Sequence, residues 1–154
     1  MPVTEQQLAA VRALILGDSS DFIRVGGQLT DADMYGYELL LQASLSVAAR
    51  RRFSSGYSDG DLIRYVARIR AGTGNRAEDM DLDPLATETT LRHALAQPVP
   101  YIHDPVTRLR SSMALLTVLV SDLGLEESGV DHLLGAARPL AERWHSERLQ
   151  APDR

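Results

Sequence analysis

The chain has no cysteine, no lysine and no apolar run long enough to cross a bilayer. Without cysteine, disulfides, thiolate metal sites and cysteine nucleophiles are all excluded. Without lysine, all 16 basic residues are arginine, a skew that GC-rich codon usage produces as readily as surface chemistry does, so it carries no functional weight. The N-terminus has no basic region leading into an apolar stretch, so no secretion leader is read there. These absences set the expectation of a soluble cytoplasmic protein with no membrane partner.

What is present fits one globular unit. A chain of 154 residues with 44% hydrophobic and 24% charged residues is long enough to bury a core without covalent staples. The expected organisation is a helical domain over 1–150 and a frayed tail over 151–154. The fold class expected is all-α, a single-domain orthogonal bundle of six or seven helices.

The helices are marked mainly by their ends. Thr4 opens a first helix carrying Leu8, Val11, Leu14 and Ile15 at helical spacing. Asp18 or Ser19 opens a short second one with Phe22, Ile23 and Val25, closed by Gly26-Gly27. Thr30 and Asp33 have capping-box spacing before a helix that runs to Phe53 and is apolar almost all round, as expected of an element surrounded by others. Ser58 and Asp61 repeat that spacing before a fourth helix with Leu62, Ile63, Val66 and Ile69 on one stripe. Asp83-Pro84 and Asp104-Pro105 each place a cap before a proline at the first helical position. The first of these starts a helix anchored by Leu85, Leu91 and Leu95. The second starts a core helix from Val106 through Leu109, Met113, Leu116, Leu119 and Val120 to Leu123. A last helix spans Glu126 to Leu149, with a kink or break expected near Gly135 because Pro139 lies inside its pattern.

Four patterns carry possible chemistry. Leu14-Ile15-Leu16-Gly17-Asp18-Ser19 resembles the opening block of GDSL-type hydrolases, which implies a strand delivering Ser19 as a nucleophile. The same resemblance implies a partner Asp-x-x-His, which this chain lacks, and no parallel-sheet pattern accompanies it. Asp79, Asp81 and Asp83 alternate like half of a calcium loop, but its sixth and twelfth positions hold Pro84 and Thr90 in place of Gly and Glu. His93, His103, His132 and His145 share no metal-ligand spacing, so no metal and no cofactor is expected.

The fourth pattern is the charge block. Net charge is −5, yet Arg50 to Arg76 holds seven arginines against Asp59 and Asp61, a local +5 that leaves −10 for the remainder. Arg50, Arg51 and Arg52 end the third helix, where positive charge complements the helix dipole. With no catalytic constellation present, the expected function is a non-catalytic interaction or regulatory module. Its partner, another protein or a second copy in a homodimer, would meet Arg50, Arg51, Arg52, Arg64, Arg68 and Arg70. The alternative is a nucleic-acid-binding protein using a helix-turn-helix-like pair over 31–53 and 59–71, against which stand Asp59 and Asp61 at the start of the would-be recognition helix.

Overall fold

A computed structural model of the chain describes residues 3–16, 19–72, 82–102 and 104–150. They form seven helices and no strand: α1 (Glu5–Leu16), α2 (Ser19–Gly26), α3 (Asp31–Arg52), α4 (Asp59–Gly72), α5 (Pro84–Ala94), α6 (Pro105–Asp122) and α7 (Glu127–Gln150). The fold is an all-α helical bundle. Gly17, Asp18, residues 73–81, His103 and the tail over 151–154 lie outside the described residues, and with them the Gly-Asp of the GDSL-like block, Asp79 and Asp81 of the half calcium loop and the expected fraying.

α3 is the hub, packing against α1, α5, α6 and α7. Leu40, Leu41, Ala43, Leu45, Ala48 and Ala49 are fully buried and face several directions around one helix. Two serines share that burial because their hydroxyls are satisfied: Ser44 donates to the Leu40 carbonyl at 2.7 Å and Ser46 to the Ala94 carbonyl of α5 at 2.9 Å. Leu115, Leu116 and Leu119 of α6 and Val130, Leu133 and Ala137 of α7 complete the core. Each fully buried leucine contributes about 2 kcal/mol of transfer free energy.

The caps are local and form where the spacing predicts. Ser58 and Asp61 make both halves of a box: the Asp61 carboxylate accepts the Ser58 backbone N–H at 2.8 Å and the Ser58 hydroxyl accepts that of Asp61 at 3.2 Å. At α3 the carboxylate half dominates, since Asp33 accepts both the backbone N–H and the hydroxyl of Thr30 at 2.9 Å. Those bonds to Thr30 hold the Asp33 carboxyl below the usual carboxylate range.

Three expectations are corrected. Leu85 is not an anchor of α5 but 69% exposed, because the helix buries Thr87, Thr90, Leu91 and Ala94 instead. Both threonine hydroxyls donate to carbonyls one turn back, at 2.7 and 2.8 Å, which makes their burial tolerable. Val106, Ile23 and, on α4, Ile63 likewise face outward, at 52%, 70% and 53% exposure. The third concerns α7, where of the kink or break expected near Gly135 the break is absent, the helix being continuous through Pro139. Both residues lie on its exposed face, so water can take up the carbonyl that proline leaves unpaired.

Candidate functional site

The chain from the end of α3 into α4 folds around three aromatic rings. Phe53 closes α3, its N–H donating to the Ala49 carbonyl at 3.0 Å, and its buried ring meets Tyr57 and Tyr65 edge-on at 5.7 and 5.3 Å. The chain turns at Gly56, whose φ of 97° is one that side chains rarely adopt. Ser58 then restarts the helix.

Around these rings stand three guanidiniums. That of Arg52 lies 5.2 Å from the Phe53 ring centre and 5.5 Å from that of Tyr65, and that of Arg68 lies 5.2 Å from Tyr65. Arg64, one turn before Arg68, completes the wall of a cleft of about 260 Å³. One carboxylate organises it. Oδ2 of Asp122, at the end of α6, accepts the Tyr65 hydroxyl and Nη2 of Arg68, each at 2.7 Å, with Nε of Arg52 farther off at 3.8 Å. Burial, and then the bond to Asp122, pushes the Tyr65 phenol well above its ordinary range. Arg64 is held by Asp61 of its own helix at 2.6 Å.

The six arginines of the sequence reading therefore divide. Arg52, Arg64 and Arg68 converge on one cleft, whereas Arg50, Arg51 and Arg70 are exposed and do not line it. Helical geometry accounts for this: neighbours along a helix diverge by about 100°, whereas residues four apart share a face. The acidic side chains nearby are engaged too, since Arg92 of α5 donates to Asp59 at 2.7 Å. α4 packs chiefly on α5, an arrangement unlike the mutually packed pair of a helix-turn-helix.

A second, larger cleft of about 370 Å³ was not legible in the sequence. Tyr35, Glu38, Leu39 and Gln42 of α3 face it at i, i+3, i+4 and i+7 spacing, and α5, the stretch from Val99 to Ile102, α6 and α7 supply its other walls. Its polar floor is the ion pair of Glu38 with Arg108 Nε. Arg108 Nη1 also donates to the Ile102 carbonyl at 2.8 Å, and its guanidinium lies 5.2 Å from the Tyr101 ring centre. The bond to Glu38 raises the Arg108 pKa further above its ordinary value. Gln42 donates to Ser112 at 2.7 Å, and Ser112 to the Arg108 carbonyl at 2.9 Å, so the floor is one connected network. The only available signal was the spacing on α3, and nothing local says which distant residues face it.

As for the other candidates, Leu14, Ile15 and Leu16 end α1 as helix, where the hydrolase resemblance implies a strand. Among the described residues no three His, Asp or Glu side chains cluster as metal ligands, and no helix is long and apolar enough to cross a membrane. His145 packs its ring 5.6 Å from that of Tyr35, and His93 lines the larger cleft. Compared with protein-family models, curated proteins and solved structures, the chain matches none of them.

Proposed function

We propose that this protein is a non-catalytic helical binding module of the cytoplasm, and that its cleft of Arg52, Arg64 and Arg68 receives an acidic segment of a partner protein. The observation that carries this reading is the convergence of three guanidiniums from two helices on an aromatic cup. The ion pairs that occupy them are exposed, the Arg64 and Arg68 side chains being 73% and 60% accessible, so an incoming carboxylate exchanges weak contacts for similar ones beside the exposed ring of Tyr57. A protein segment fits better than nucleic acid. The cup is short, and Arg50, Arg51 and Arg70 do not extend it into a track along which a phosphate backbone could run.

The test is fluorescence anisotropy with a labelled glutamate-rich peptide and a DNA duplex of matched charge, alongside light scattering of the free protein. The reading expects peptide binding that weakens with salt and exceeds duplex binding. Tighter binding of the duplex supports the nucleic-acid alternative, and a concentration-dependent dimer with no peptide binding assigns the cleft to a second copy.

A further inference from the structure

The larger cleft lies on another part of the molecule from the arginine cup and has a different chemistry. At about 370 Å³ it falls within the size range of small-molecule sites, which are typically about 300–1,000 Å³. It is also largely pre-formed, because the Glu38, Arg108, Gln42 and Ser112 network fixes its floor before any ligand arrives. Its aromatic surfaces, Tyr35, Tyr101 and Trp144, come from three separate segments of the chain and suit a flat apolar body.

Charge then selects among such bodies. Glu38 is neutralised by Arg108, so neither contributes a net charge to an occupant. Arg148 of α7 is different: it lines the cleft with its guanidinium 5.6 Å from the Tyr35 ring centre and makes no ion pair among the described residues. The Trp144 indole N–H and the Thr89 hydroxyl also line the cleft without a hydrogen-bond partner among the described residues. The unpartnered polar groups thus include an indole donor and groups that can donate or accept, and one, Arg148, is a full positive charge that only an anion complements.

We propose that this cleft is a binding site for a small organic acid, its flat apolar body held among Tyr35, Tyr101 and Trp144 and its anionic group on Arg148. The site is separate from the arginine cup and shares no lining residue with it.

Trp144 is the only tryptophan, which gives the test a reporter inside the cleft. Two probe pairs of matched shape are used: anilinonaphthalene sulfonate against neutral N-phenyl-1-naphthylamine, and 2-naphthoate against 2-naphthamide. The acids are expected to quench Trp144 emission at one saturable site and to bind about fivefold or more tightly than their neutral counterparts. Arg148→Ala, an exposed substitution checked by thermal melting, is expected to reduce that preference to about twofold or less, whereas Arg50→Ala, exposed and outside both clefts, leaves it unchanged. Equal binding of acid and neutral probes, an unaffected preference in Arg148→Ala, binding without quenching of Trp144, or no binding by either acid would each overturn the proposal.

Discussion

The Arg68 guanidinium lies over the Tyr65 ring at 5.2 Å, and both residues donate to the same oxygen of Asp122 at 2.7 Å. Asp122 therefore plays two opposed parts. It satisfies the hydroxyl of a buried tyrosine, and it is the internal anion that any acidic partner must displace from Arg68. Asp122→Ala is expected to lower stability by about 1–2 kcal/mol, through the phenol left unpaired, while tightening the glutamate-rich peptide about two- to fivefold. Urea denaturation and anisotropy measure the two effects separately. A variant that loses both stability and affinity would mean that Asp122 presents the arginines to a partner and does not compete with one.

The Tyr37 hydroxyl is buried without a hydrogen-bond partner among the described residues. Removing it should not harm the protein. Tyr37→Phe is expected to be as stable as the parent or up to about 1–2 kcal/mol more so at neutral pH. The pH dependence has a definite sign. Burial pushes this phenol from 10.0 up to about 12, so the folded state holds its proton where the unfolded state releases it. Its contribution is complete below the unfolded value and is lost as pH rises towards the folded one, by up to about 2–3 kcal/mol. Alkaline denaturation of Tyr37→Phe should be correspondingly shallower, with the remaining slope due in part to Tyr65, whose phenol is shifted in the same direction. Identical alkaline curves for parent and variant would contradict this.

Gly36 sits against Gln7, and the room there is already taken. A β-carbon at Gly36 would stand 2.3 Å from Gln7 Nε2, and that amide is pinned by bonds to the Thr4 N–H and the Asp33 carbonyl, both at 2.9 Å. Alanine is about 1 kcal/mol better than glycine inside a helix, yet Gly36→Ala is expected to destabilise by about 1 kcal/mol or more. In a Gln7→Ala background the same substitution should become neutral or stabilising. The cycle is read by thermal or urea denaturation, and equal effects in both backgrounds would show that the contact does not govern the cost.

How far the sequence disclosed this molecule depends on how local each feature is. Caps such as Ser58 with Asp61, or Asp83 before Pro84, involve residues three apart, so spacing alone located them. The core role of α3 was equally legible, since a helix apolar around its circumference has to be enclosed. Directions were harder. Leu85 looked like an anchor because it is a leucine, but the buried face of α5 is set by Thr87, Thr90, Leu91 and Ala94, and buried threonine is tolerated only through bonds to the preceding turn. Pro139 suggested a break because the sequence does not reveal that its carbonyl partner is on the solvent side. The arginine block was visible as charge, but its division into Arg52, Arg64 and Arg68 against Arg50, Arg51 and Arg70 follows from helical phase together with the position of Asp122 on a helix more than fifty residues away. The larger cleft was least visible, being assembled from four helices whose contributions are individually ordinary.

The most direct measurement compares two double variants of equal charge loss for binding of the labelled glutamate-rich peptide at low salt. Arg52→Ala with Arg68→Ala removes two of the cup's three arginines, whereas Arg50→Ala with Arg51→Ala removes the same charge from exposed positions outside it. The account predicts a loss of about tenfold or more for the first pair and about threefold or less for the second, with both variants melting cooperatively. Equal losses in the two pairs would mean that bulk charge, and not the cleft, attracts the peptide, and would contradict the account.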